Sequence, residues 1–309
     1  MTANPDKRPP RQAVDGLFLL NKPAGITSNQ ALQKVKRLLN AKKAGHTGSL
    51  DPAATGMLPL CFGEATKVCA YLLNADKSYR VTARLGEATD TGDGDGEVTA
   101  TAEVPHFSKA DWEVIMNSFV GDIQQIPPMY SALKKDGKRL YELARKGEVV
   151  EREARPVRIH GITLLEAAPT RLVFHVSCSK GTYIRTLVED IAQAAGTVAY
   201  TAGLHRDSVG GFEAEDMLDM AQAVDLAENE PDALKRKLLA PDQALTDWPS
   251  VIIGELDRQR FTGGQAVTVT DSTTAGLVRV YADSGEFLGV GESAGSGQVA
   301  PRRIFRLGV

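Results

Sequence analysis

The sequence predicts an α+β protein with a small, mostly β unit at its C-terminal end. Three observations lead there. Through residue 247, runs that alternate apolar and polar residues, as half-buried strands do, are interspersed with capped stretches of 3.6-residue apolar spacing. After Asp247-Trp248-Pro249 the pattern changes to short alternating runs parted by many glycines, the signature of a small barrel. The length of 309 residues, with 42% hydrophobic and 24% charged, suits one sizeable core plus a small second domain. The expected division is a flexible tail over 1–13, a main domain over 14–247 with a basic insertion at about 126–158, and a C-terminal domain over 248–309.

In chain order, Gly16 to Leu20 reads as a buried strand and Asn21 to Gly25 as its turn. Lys22 is therefore expected on a loop, where it is either a solvated turn lysine or a functional one. Thr27-x-x-Gln30 is a capping box opening a helix with Ala31, Leu32, Val35, Leu38 and Leu39 on one face. Lys34, Lys36, Arg37, Lys42 and Lys43 then lead into His46 to Gly56. That stretch is rich in conformational specialists. Gly48 and Gly56 permit positive φ or a close backbone approach, and Pro52 pushes Asp51 out of the α region. Asp51 is thereby presented between apolar Leu50 and Ala53-Ala54, although the local pattern also fits a simple turn. Ala65 to Leu73 suits a short helix. Lys77 to Leu85 suits a strand with Tyr79, Val81, Ala83 and Leu85 on one face, where Tyr79 alone would read as core. Asp93-Gly94-Asp95 resembles the start of a calcium loop, but the sixth position is Val98 where glycine is needed, so Asp90 to Gly96 reads as a loop before a strand at Glu97 to Thr101.

Ser108-x-x-Asp111 caps a helix carrying Trp112, Ile115, Met116 and Phe119. From Ile126 to Arg158 the chain is too polar for core and too patterned for a linker. Val157 to Glu166 and Arg171 to Cys178 read as strands, and Thr182 to Ala195 as a helix ending at Gly196. Lys180-Gly181-Thr182 thus falls where free N–H groups could face an anion. Arg185 lies at the edge of the apolar stripe, a position that usually belongs to a snorkelling surface arginine. Glu215 to Ala244 reads as helical and acidic, and Ala266 to Val269, Leu277 to Tyr281 and Glu286 to Val290 as barrel strands.

The net charge of −3 is low for a nucleic-acid binder, so its distribution matters more than its sum. Lys134 to Arg158 holds nine Lys/Arg against five Asp/Glu, a local +4 that leaves −7 elsewhere. The three cysteines, Cys61, Cys69 and Cys178, show no metal-ligand pairing, and no signal peptide or apolar span follows Met1, which places the expectation in a reducing cytoplasm.

Gly45-His46-Thr47-Gly48-Ser49-Leu50-Asp51-Pro52, running on through Gly56-Met57-Leu58-Pro59 to Gly63-Glu64-Ala65-Thr66-Lys67, resembles the TruB-type tRNA pseudouridine-55 synthases of the stand-alone bacterial kind. Asn21-Lys22-Pro23-Ala24-Gly25-Ile26-Thr27-Ser28, Lys77-Ser78-Tyr79-Arg80, Ile126-Pro127-Pro128-Met129-Tyr130-Ser131-Ala132 and Lys180-Gly181-Thr182-Tyr183-Ile184-Arg185 follow the same family in the same order. Ser49 departs from it, since alanine is common there. The resemblance implies a mixed-sheet pseudouridine-synthase domain, a thumb loop at 126–158 that closes over RNA, and a PUA-like RNA-binding barrel. It implies that a uridine of the tRNA TΨC loop is flipped out and isomerised by Asp51, which pairs with Arg185. Tyr79 matches the residue that stacks on the uracil and is a candidate to move a proton. Tyr183 and the Leu204 backbone match positions that grip the base, His46 matches the residue filling its vacated space, and Lys22 joins the expected substrate-binding set.

No cofactor, metal, membrane or guide RNA is expected, and the protein is expected to act as a monomer on the tRNA T-arm. An idle RNA-binding or RNA-folding protein on the same scaffold is the alternative. A guide-dependent synthase is disfavoured by the long basic insertion, and a carboxylate hydrolase by the lack of a second acid at a recognisable spacing.

Overall fold

The computed structural model describes residues 10–131, 133–135, 137–269 and 275–307. Residues 1–9 of the expected tail and Ala132 of the fourth motif lie outside the described residues. In chain order the strands of the main domain are β1 (Gly16–Lys22), β2 (Ala44–His46), β3 (Thr55–Phe62), β4 (Lys77–Leu85), β5 (Glu87–Thr89), β6 (Val98–Thr101), β7 (Gly121–Gln125), β8 (Lys134–Lys135), β9 (Lys138–Arg139), β10 (Arg155–Ala168), β11 (Arg171–Cys178), β12 (Ala199–Val209) and β13 (Leu218–Asp219). Its helices are α1 (Ser28–Leu38), α2 (Cys69–Asn74), α3 (Lys109–Asn117), α4 (Leu140–Ala144), α5 (Ile184–Ala194), α6 (Met220–Asn229) and α7 (Pro231–Arg236). The C-terminal unit contains β14 (Ser250–Ile253), α8 (Glu255–Thr262), β15 (Val267–Thr268), β16 (Gly276–Ala282), β17 (Phe287–Ser293) and β18 (Gln298–Ile304).

One mixed sheet in the order β13-β1-β3-β12-β4-β11-β10-β7, with β2 paired to β3, organises the main domain. Both capping boxes form as the sequence requires, at Thr27 with Gln30 and at Ser108 with Asp111. The faces of α1, α3 and α5 named from spacing meet one side of the sheet, where Phe18, Leu58, Val81, Phe174, Leu187 and Ile191 are buried together. Leu17, Leu19, Met57 and Cys61 alternate to the other side, against α2 and the C-terminal unit.

Several expectations are corrected. The tail is engaged from Pro10 onward: Asn40 Nδ2 donates to the Pro10 carbonyl (2.8 Å), Gln12 N to Asn40 O (2.9 Å) and Lys42 N to Gln12 O (2.9 Å). β3 and β12 were not foreseen as strands. β12 carries Tyr, Thr, Gly, His, Arg and Asp with little alternation, because two register shifts break its period against β4. The basic excursion leaves the sheet after Gln125 and rejoins it at Arg155, since Arg155 to Arg158 pair with β7. The acidic helical segment is split at Glu230, as Pro231 cannot continue the helix hydrogen bonds. In the C-terminal unit β14 and β18 join the three expected strands in the order β14-β16-β17-β18-β15. Its edge strands do not pair with each other among the described residues, so the barrel is open and curled around Phe261 of α8.

The two units share a core. Phe287, Val290 and Phe305 pack with Leu17, Met57, Val68 and Leu72, Tyr71 meets the edge of Trp248 at 4.8 Å, and Lys67 Nζ donates to the Ile304 carbonyl (2.6 Å) and lies 5.4 Å from the Phe305 ring centre. Phe305→Ala is expected to cost roughly 3 kcal/mol through lost burial and the cavity left behind. Urea unfolding monitored by tryptophan fluorescence checks this, since Trp248 reports from the same junction.

Candidate active site

Asp51 lies on a loop that is held from below at every few residues. Ser28, the first residue of α1, donates its hydroxyl to the Leu50 carbonyl (3.1 Å) and accepts from Leu50 N (2.8 Å). The Pro52 carbonyl accepts from Gly25 N (2.9 Å) and from Lys22 Nζ (3.2 Å). The Gly48 carbonyl accepts from Arg206 (3.1 Å). Both loop glycines are required: Gly48 has φ +87° and Gly56 φ +97°, and a Cβ on Gly56 would stand 2.3 Å from the Arg206 carbonyl oxygen on the parallel neighbour β12.

The Asp51 carboxylate faces Arg185, whose Nε lies 3.1 Å from Oδ2. Arg185 projects from the first turn of α5 and its side chain is only 6% exposed, so it is a buried hub and not the snorkelling residue that its place beside the stripe suggested. One terminal nitrogen donates to the Thr91 carbonyl (2.6 Å) and lies 3.5 Å from Asp93 Oδ2, while the other donates to the Tyr130 carbonyl (2.7 Å). Asp93 belongs to the turn that sequence reasoning tested only as a metal loop. Nothing local marks it as a partner of Arg185, which lies 92 residues further on. Burial pushes the Asp51 carboxyl above its ordinary range, Arg185 pulls it down, and Asp93 pushes it up again.

Tyr79 is nearly enclosed on β4, and burial raises its phenol pKa. Arg206 of β12 sits directly across from it in register, and its charge pulls the Tyr79 pKa back down. Among the described residues Arg206 is the largest fully buried side chain, and sequence reasoning missed it because the strand carrying it was missed. Tyr183 caps α5 with its backbone clasped by buried Gln125, which accepts from Tyr183 N (2.7 Å) and donates to Tyr183 O (3.1 Å). His46 ends β2 with Nδ1 buried and unbonded, and burial followed by the Arg206 charge favours its neutral ring. The Leu204 carbonyl is on β12, 3.5 Å from the Thr55 hydroxyl.

Lys22 does not join this surface. It is fully enclosed at the end of β1, not on a loop, and Nζ donates to the carbonyls of Pro23 (2.9 Å), Ile26 (2.7 Å) and Pro52 (3.2 Å). It ties down the turns beneath Asp51. Lys180-Gly181-Thr182 precedes the helix, which begins at Ile184. The Thr182 hydroxyl closes a turn onto Ser179 O (2.9 Å), and Lys180 donates to Asn74 (3.0 Å). Among the described residues no cluster of His, Cys, Asp and Glu is arranged to hold a metal ion, and no helix is long and apolar enough to cross a membrane.

Comparison with known proteins gives a consistent set. The family described as TruB family pseudouridylate synthase (N terminal domain) matches residues 36–184, and Pseudouridine synthase II TruB, C-terminal, matches residues 249–305. The chain is 52% identical over 303 residues to a tRNA pseudouridine synthase B of Pseudomonas putida (strain GB-1), covering 96% of this chain and 97% of that protein. It is 49% identical over the same length, with the same coverage, to a tRNA pseudouridine synthase B of Pseudomonas aeruginosa (strain UCBPP-PA14). Among solved structures, a Cbf5-Nop10-Gar1 complex contains a chain that aligns with TM-score 0.74 at 26% identity, covering 99% of this chain and 91% of that one.

Burial lowers the Lys22 pKa from 10.5 to about 8. Between those values the unfolded chain holds a proton that the folded chain has released, so this lysine makes stability rise with pH across that window, by on the order of 3 kcal/mol. Lys22→Met is expected to remove that share of the rise and, by freeing the Pro52 carbonyl, to lower turnover about tenfold or more. Urea melts of both proteins from pH 7 to 10.5, alongside a turnover assay, check the two effects.

Proposed function

The chain belongs to the TruB family of pseudouridylate synthases, and on that premise we propose that it converts a uridine of the tRNA TΨC loop, position 55, into pseudouridine by means of Asp51. The observation that carries this reading is the contact between Asp51 and Arg185, made within a loop matching the family and beside an enclosed tyrosine. The reaction breaks the N1–C1′ bond, turns the base while it is held, and joins C5 to C1′. It is a net isomerisation, which calls for a nucleophile or base, a dry pocket and a firm grip on a detached ring.

Asp51 supplies the first. A carboxylate partly stripped of water is more reactive than one in bulk solvent, and the Arg185 guanidinium aims it and favours its ionised form. Tyr79 stacks on the uracil and takes the C5 proton after C5 has bonded to C1′. N1 gains a proton from water, so composition is unchanged. Tyr183 and the Leu204 backbone grip the base. Base flipping costs a few kcal/mol of unstacking, and the neutral ring of His46, with its unbonded Nδ1, suits the vacated stack.

The excursion between Gln125 and Arg155 and the C-terminal unit supply affinity for RNA, and no guide RNA takes part. The 52% identity to a tRNA pseudouridine synthase B, against 26% to the Cbf5 complex chain, favours the stand-alone mode. In the alternative reading, a non-catalytic RNA-folding protein, Arg185 would have no need to be held by four separate segments.

Asp51→Asn keeps shape and removes the charge and the nucleophilic oxygen. Release of tritium from C5-labelled uridine in tRNA is expected to vanish. Affinity for tRNA is expected to stay within about threefold with an unchanged salt slope, because phosphate contacts set it. Near wild-type release by folded Asp51→Asn protein would refute the assignment, and no release by the wild type despite tight binding would favour the RNA-folding role.

A further inference from the structure

Three cationic side chains are buried under the Asp51 loop: Lys22 at 0%, Arg206 at 1% and Lys77 at 9% exposure. The two lysines bond to backbone carbonyls, Lys77 to Ala75 O (2.6 Å) and Leu73 O (3.3 Å), and are thereby accounted for as ties between turns. Arg206 is different. Its Nε donates to Met57 O (2.6 Å) and one terminal nitrogen to Gly48 O (3.1 Å), and its strand position faces that of Tyr79 in register. Among the described residues it forms no ion pair with a carboxylate. A desolvated guanidinium without a counter-charge is expensive, by several kcal/mol even after relaxation. Two neutral carbonyls offset only part of that. Such a charge is most useful facing a group that becomes negative, and the polar side chain directly across from it in register is Tyr79.

We propose that Arg206 is a positioning residue for the isomerisation, fixing the Tyr79 hydroxyl against the Asp51 loop and stabilising the negative charge that Tyr79 oxygen carries when it takes the C5 proton. The inference rests on the reading of Tyr79 as the group that moves that proton. In the step concerned, the phenolate oxygen forms a bond to the C5 hydrogen, the C5–H electron pair returns to the ring to restore its C5–C6 double bond, and the neutral phenol then loses its proton to water. Both carbonyls that Arg206 holds flank the same site, since Gly48 is on the catalytic loop and Met57 follows it on β3. The register partner of Tyr79 is thereby tied to the Asp51 loop. Burial alone would hold Tyr79 protonated, and the Arg206 charge acts against that.

The test is a double-mutant cycle between Arg206 and Tyr79, read by single-turnover tritium release, by tRNA affinity, and by ¹⁹F NMR titration of 3-fluorotyrosine placed at position 79. Arg206→Lys keeps the buried charge but cannot reach both carbonyls and the hydroxyl, so the rate is expected to fall about tenfold or more with affinity within about twofold. Arg206→Gln is expected to fall further and to raise the fluorotyrosine titration point by about one unit. In a Tyr79→Phe background, Arg206→Lys is expected to change the rate by less than about twofold. Equal losses for Arg206→Lys in both backgrounds, or an unmoved fluorotyrosine titration, would overturn the proposal while leaving the role of Tyr79 intact. A Tyr79→Phe protein as fast as wild type would instead refute the role of Tyr79, and the proposal with it. Should Arg206→Gln not fold, the lysine variant and its titration decide the matter.

Discussion

A carboxylate in a half-dry site stays ionised and aimed only if the cation facing it cannot move. Arg185 meets that requirement because four parts of the chain hold it: its own helix α5, the Asp51 loop, the turn with Thr91 and Asp93, and the Tyr130 carbonyl at the root of the basic excursion. Burial is the largest influence on the Asp51 pKa, and together with Asp93 and Asp95 it overcomes the pull of Arg185 and Lys22. The contact at Tyr130 means that a shift of the excursion on an RNA would be felt at the guanidinium and thus at Asp51. In the proposed function, catalytic geometry and the position of the excursion are mechanically linked through this contact.

Beneath the loop the charge is reversed. Lys22, Lys77 and Arg206 are buried and bonded mainly to carbonyls, an arrangement that lowers stability relative to an apolar core of the same shape. Lys22 and Lys77 register that cost directly, both titrating near pH 8. In return the loop backbone is pinned at Gly48, Leu50 and Pro52, so its position does not depend on apolar side chains that substrate entry would disturb. The parallel pairing of β3 with β12 is the structural condition for this, and it needs a residue without Cβ at position 56.

The acidic body and basic excursion divide the electrostatic work in the proposed function. The outer arm, with a local +4, attracts a polyanion while the remaining −7 discourages non-specific coating by RNA. The C-terminal unit is joined to the body through Phe287, Phe305 and the Lys67 contacts, which in the proposed function set the angle at which its RNA-binding surface is presented.

Local physics made much of this legible in the sequence. The capping boxes at Thr27 and Ser108, the faces of α1 and α5, the alternation of β4 and β11, and the conformational demands at Gly48 and Gly56 each involve residues within a few positions of one another. Asp51 and Tyr79 were singled out through motifs of the same short range. Tertiary structure decided what distance along the chain conceals. β12 is central because β3 and β4 pair with both of its edges, and its bulges erase the period by which a strand is read. Arg185 and Lys22 look like surface residues in their local patterns, yet α5 and β1 carry them inward to acceptors that include Pro52 O, 30 residues from Lys22, and Thr91 O, 94 residues from Arg185. Arg206 and Asp93 became part of the site because backbone carbonyls and a guanidinium from distant segments meet there, and a sequence does not encode such meetings at any fixed spacing.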